Sequence, residues 1–115
     1  MKHLAIITAT RAEYGLLEPL IKELRKSESE YFHVDLIVTG THLSDKFGHT
    51  IDEIISDGIR IDYQIDIPVD SDSPHDISND QAMTLIKFTD FFSEHKYDAV
   101  VILGDRYEML AVAIA

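Results

Sequence analysis

Three short apolar runs, each breaking abruptly into polar residues, constrain this chain more than any other feature. They are "HLAIITAT" (3–10), "FHVDLIVTG" (32–40) and "YDAVVILGD" (97–105). Each is too short for a buried helix and rich in β-branched residues, so each reads as a strand with both faces covered. The third run is the most continuously apolar and is expected to be buried. Between the first two, Leu16, Leu17, Leu20, Ile21 and Leu24 recur at helical spacing among charged residues, which predicts an amphipathic helix. Pro19 falls inside that pattern, so the regular helix is expected to begin near Leu16 to Glu18, with the proline in its first turn.

The remaining segments continue the alternation. "THLSDKFGHTIDEIISDG" (41–58) reads as a loop and a short helix carrying Ile51, Ile54 and Ile55, stopped by Gly58. "IRIDYQIDI" (59–67) alternates apolar and polar, which predicts a half-exposed strand near a sheet edge. A polar loop with a capping Ser or Asp leads into "QAMTLIKFTDFFSEH" (81–95), a helix expected to turn Met83, Ile86, Phe88, Phe91 and Phe92 inward. "RYEMLAVAIA" (106–115) reads as a helix that has only begun. Strands alternating with helices make right-handed βαβ units and a parallel sheet, so the fold class is α/β and Rossmann-like.

Composition narrows the function classes. Twenty-one acids against ten bases give a net charge of −11. That opposes a nucleic-acid partner, because phosphate neutralisation needs a basic surface. A phosphorylated small molecule needs only a few local donors and stays compatible. The chain has no cysteine, which excludes disulfides and thiolate chemistry and fits a reducing, cytoplasmic setting. The apolar run from Leu4 to Ala9 is followed by a charged helix, unlike a secretory leader, and no stretch has the length of a membrane span.

Open parallel sheets gather ligands at the carboxyl ends of their strands. Three tips are polar here: "TATRAEYG", "VTGTHLSD" and "LGDRYE". In the first, Arg11 precedes a helix, where backbone N–H groups and a guanidinium make an anion site; pairing with Glu13 or Glu18 explains it equally well. In the second, His42 is either a hydrogen-bonded histidine or a cleft residue, and no metal-ligand spacing accompanies it. In the third, Gly104 permits close backbone approach, and Asp105 is either a helix N-cap or an ionisable group in the cleft. The cap leaves Arg106 unexplained. Neither G-x-G-x-x-G nor the Walker A pattern is present.

The three tips together resemble the hydrolysing UDP-N-acetylglucosamine 2-epimerases, in particular the branch that makes N-acetylmannosamine for sialic acid. The segments carrying the likeness are "TATRAEYGLLEPLIKEL", "LIVTGTHLSDKFGHTIDEI" and "DAVVILGDRYEMLAVAIA". The resemblance implies two Rossmann-like domains in a glycosyltransferase-B-like arrangement. Residues 1–115 would form an incomplete amino-terminal domain, inactive alone, and the carboxy-terminal nucleotide-binding domain would lie beyond them. It further implies Asp105 as the catalytic acid or base, with Arg11, Ala12, Gly15, His42 and Arg106 at the substrate. No nicotinamide or metal would be needed, and the full-length protein would be a cytoplasmic homo-oligomer acting on a UDP-sugar. The competing readings are a UDP-diacetamido-trideoxy-sugar epimerase for legionaminic acid, a two-domain sugar-nucleotide glycosyltransferase, and a non-catalytic flavodoxin-like domain.

Overall fold

The computed structural model describes residues 2–28, 32–43, 50–67, 73–103 and 107–115. The elements are β1 (Lys2–Thr8), α1 (Arg11–Lys26), β2 (Phe32–Thr39), a 3-10 turn (Gly40–Leu43), α2 (Ile51–Ser56), β3 (Tyr63–Ile65), α3 (Pro74–Glu94), β4 (Ala99–Ile102) and α4 (Tyr107–Ile114). Among the described residues the strands form one sheet in the order β3-β2-β1-β4, with every pair parallel. The parallel α/β class expected from the alternation is therefore the observed one.

Period-two alternation divides the apolar residues between two cores. Ile6, Val34, Leu36 and Val38 pack under α1 and α2 with Tyr14, Leu17, Ile21, Ile51 and Ile54. Ala5, Ile7 and Ile37 face the other way, toward Phe88 of α3 and Val112 of α4. Both faces of β1 and β2 are covered, so each buried isoleucine or leucine adds roughly 1.5–3 kcal/mol. The alternating segment 59–67 behaves as its pattern predicts. Ile59 and Ile67 are buried, Gln64 is exposed, and the hydrogen-bonded strand shrinks to three residues at the sheet edge.

Several expectations are corrected. α1 begins at Arg11, well before Leu16, and Pro19 lies in its interior. The carbonyl that Pro19 cannot bond belongs to Gly15, four residues back. The lost bond is offset by Leu17 and Ile21, which anchor the turns on either side of the proline. α3 begins at Pro74 and not at Gln81, because Ser73 caps it by accepting the Asp76 N–H at 3.1 Å. Its buried residues are Asp80, Thr84 and Phe88, and Phe91 and Phe92 pack partly buried against the same core as expected, whereas Met83 and Ile86 are 40% and 55% exposed. Phe88 fixes that rotation, because its ring fills the second core.

β4 is also less buried than its apolar sequence implies. Its inner edge pairs with β1, and among the described residues no strand pairs with its outer edge. Val100 stays 42% exposed, and Leu103, Leu110 and Ile114 are exposed as well. An apolar strand on an open edge is a surface prone to pairing with another chain.

Gly15 offers a simple test of α1. A Cβ built there meets nothing within 4 Å. Gly15→Ala is therefore expected to raise stability by about 0.5–1 kcal/mol in urea denaturation. A decrease would show that Pro19 holds Gly15 away from helical geometry.

Candidate functional site

The order β3-β2-β1-β4 reverses direction between β1 and β4, and that switch point is where open α/β sheets leave a crevice. Register puts the tips at one level. Thr8 pairs with Val38 of β2, and Ile7 pairs with Ile102 of β4. β1 is thus flanked by β2 and β4, all three end at the same end of the sheet, and the segments carrying Arg11 and His42 leave it there.

At the first tip, Ala9 and Thr10 lead directly into α1, whose Tyr14 N–H bonds the Thr10 carbonyl at 3.0 Å. Arg11 and Ala12 open this 16-residue helix. The orphan N–H groups and positive dipole end of its first turn suit an anion. The side chains of Arg11 and Ala12 fall outside those described. Gly15 lies one turn further on, in a recess of about 200 Å³ shared with Tyr14, Glu18, Glu53 and Asp57. Three carboxylates line that recess, which makes it unsuited to a diphosphate.

The second tip is held by Gly40. Its φ is +62°, and an added Cβ would lie 2.9 Å from the Ala9 Cβ. Only glycine lets the two chain segments approach this closely. The turn then delivers His42 into the interior, fully enclosed. One ring nitrogen lies 2.9 Å from the Thr8 hydroxyl, and the other lies 2.8 Å from the Thr50 hydroxyl. The edge of Tyr14 packs on the ring at 6.1 Å. Burial pushes the imidazole pKa down to about 4, partly opposed by a hydrogen bond with the Thr10 backbone, so His42 is neutral at pH 7.

The Tyr14 hydroxyl donates to Asp57 at 2.6 Å, which ties α1 to the end of α2. Burial raises that phenol's pKa, and the Asp57 carboxylate adds to the rise. Tyr14 therefore stays protonated in the physiological range. Gly40, Thr8, Thr50 and Tyr14 were not singled out from sequence; a glycine directly after an apolar strand was the one available signal. At the third tip, the expectations for Gly104, Asp105 and Arg106 fall outside the described residues, which resume at Tyr107.

A second polar cluster occupies the opposite end of the sheet. His33 lies between Glu28 and Asp35, at 2.7 and 2.8 Å, and Tyr97 donates to Asp35 at 2.8 Å. Side-chain atoms of His33, Asp35 and Asp62 lie within 4.8 Å of one another. Asp62, however, already accepts from Arg25, from Arg60 and from the Leu36 N–H. This is an ion-pair network closing the amino ends of the strands, remote from the crevice.

Comparison with known proteins decides the family. The pattern of the UDP-N-acetylglucosamine 2-epimerase family matches residues 22–115. The chain belongs to that family. This epimerase-family chain is 42% identical to "Polysialic acid biosynthesis protein P7" of Escherichia coli, covering all of the chain and 29% of that protein. It is 38% identical to the "GDP/UDP-N,N'-diacetylbacillosamine 2-epimerase (hydrolyzing)" of Campylobacter jejuni, over 97% of the chain and 28% of that protein. With the "UDP-N-acetylglucosamine 2-epimerase" of Neisseria meningitidis it shares 30% identity over 98% of the chain and 29% of that protein. A crystal structure of a UDP-N-acetylglucosamine 2-epimerase superposes with a TM-score of 0.77 at 19% identity, covering 99% of this chain and 28% of that one. The epimerase-family chain thus spans under a third of the length of these relatives.

Proposed function

We propose that residues 1–115 form the first part of the amino-terminal domain of a hydrolysing UDP-N-acetylglucosamine 2-epimerase. A carboxy-terminal nucleotide-binding domain would supply the other wall of the crevice. The observation that supports this reading is that β1, β2 and β4, each followed in the sequence by a polar segment, end together around the β1/β4 switch point of a chain in this family.

The chemistry fits that placement. The sugar C2 proton is weakly acidic, so its removal needs a positioned base, and departure of UDP from C1 needs its charge offset. Asp105 is assigned the proton transfer. Arg11 and Ala12 at the start of α1, with the Gly15 backbone beyond them, take the diphosphate end. Arg106 holds the site beside the aspartate. Loss of the proton and of UDP gives a 2-acetamidoglucal; water then adds with inverted configuration at C2, giving N-acetylmannosamine and UDP. The residues 1–115 alone, with one wall of the crevice, are expected to turn over no substrate.

A second reading concerns the sugar. Relatives from Campylobacter jejuni and Legionella pneumophila, each 38% identical, are named as N,N'-diacetylbacillosamine 2-epimerases. One experiment separates the readings. The full-length polypeptide is incubated in D2O with UDP-N-acetylglucosamine or UDP-N,N'-diacetylbacillosamine, and the products are read by NMR. We expect free N-acetylmannosamine, deuterated at C2, together with UDP. Free epimerised product from the second substrate only would move the assignment to the diacetamido sugar. Sugar passed to an acceptor, with C2 retaining its hydrogen, would make the protein a glycosyltransferase.

A further inference from the structure

We infer that His42 is a positioning residue whose buried ring locks the end of β1 to the turn after β2 and to the start of α2. This rests on the functional reading above only for its kinetic consequence. The geometric part stands alone.

The hydrogen-bond inventory carries the argument. A neutral imidazole has one donor and one acceptor, whereas an imidazolium has two donors and no acceptor. His42 faces the hydroxyls of Thr8 and Thr50, each able to donate or accept, and packs edge to face with Tyr14. Either tautomer of the neutral ring therefore partners both nitrogens, one hydroxyl accepting from the ring N–H and the other donating to the bare nitrogen.

The ring is also enclosed on every side, so a substrate in the crevice meets what His42 holds and not His42 itself. It holds a great deal. Its own N–H bonds the Ala9 carbonyl at 3.3 Å, and its side chain reaches Thr8, 34 residues earlier, and Thr50, eight residues later. Thr8, Ala9 and Thr10 are the three residues directly before Arg11, so the direction in which α1 starts depends on this bridge. A buried polar bridge of this kind fixes geometry strongly because each lost partner leaves an unpaired group.

The test uses the full-length polypeptide with 15N-labelled histidine, and His42→Asn identifies the resonances. We expect the His42 ring to show one protonated and one unprotonated nitrogen, unchanged from pH 8 to pH 5. Thr50→Val, which keeps shape and removes one hydroxyl, should shift those resonances. It should lower kcat/KM by about three- to tenfold, the worth of one hydrogen bond, without adding an ionisation to the pH profile. Thr50→Ser should restore both. A His42 ring that titrates near the ordinary histidine value would overturn the proposal even if the enzyme assignment failed. Unchanged resonances and kinetics in Thr50→Val would overturn it as well.

Discussion

Asp105→Asn in the full-length polypeptide is expected to lower turnover by roughly two to four orders of magnitude, the usual worth of a positioned acid or base, while its melting temperature barely moves. The substitution separates two roles that coincide at this position. An asparagine oxygen caps a helix about as well as an aspartate oxygen, so a capping role predicts near-wild-type stability and wild-type turnover. A proton-transfer role also predicts near-wild-type stability, with turnover collapsing because the amide cannot ionise. β4 ends at Ile102, beside Ile7 of β1, and α4 begins at Tyr107. Asp105 falls between these two points in the sequence. Turnover and thermal melting measured on the same preparation decide the matter. A wild-type rate would leave Asp105 as a cap alone.

Gly40→Ala is expected to cost roughly 2–4 kcal/mol of folding stability in chemical denaturation, combining a left-handed backbone penalty with overpacking. The first contribution arises because φ is +62°, where a Cβ crowds its own backbone. The second arises because that Cβ would lie 2.9 Å from the Ala9 Cβ and 3.0 Å from the Ala9 carbonyl oxygen. Neither neighbour is a flexible side-chain end, so the strain falls on the main chain of the first tip. A loss below about 0.5 kcal/mol, the range of an ordinary surface change, would mean that the tips are not seated as closely as described.

What could be read from the sequence, and what could not, follows from the range of the forces involved. β1 and β2 were legible because two faces of covered sheet impose an apolar run with no polar interruption, and Ile6, Ile7, Leu36 and Ile37 obey it. The apolar run of β4 carried the same signal and misled, since sequence records what a strand is made to touch and not what covers it in a given chain. The start of α1 is not legible locally, because the cost of Pro19 is local while Leu17 and Ile21 offset it through tertiary packing. Met83 and Ile86 were turned inward because five apolar residues fit a helical stripe; Phe88 sets the rotation, and the polar Asp80 and Thr84 fill the inner positions. The parallel arrangement that brings the carboxyl ends of β1, β2 and β4 together was legible from the alternation of strands and helices. The partners of His42 were not, since no local rule pairs a histidine with threonines 34 residues before and eight residues after it.

The position of β1 in the sheet also sets a schedule for folding. Of the four strands it is made first, and it is the last to be completed on both sides, because β2 and β4 flank it. The bonds between His3 and Asp98, which start the β1–β4 pairing, join residues 95 apart in the chain. At ribosomal speeds of about 5–20 residues per second, several seconds pass before that edge can close. Through that interval an apolar strand stands open in the nascent chain, and contacts of such long range also slow refolding from denaturant. Chaperone dependence during synthesis would therefore be concentrated before residue 102 emerges, and a slow refolding phase should report the docking of β4 onto β1.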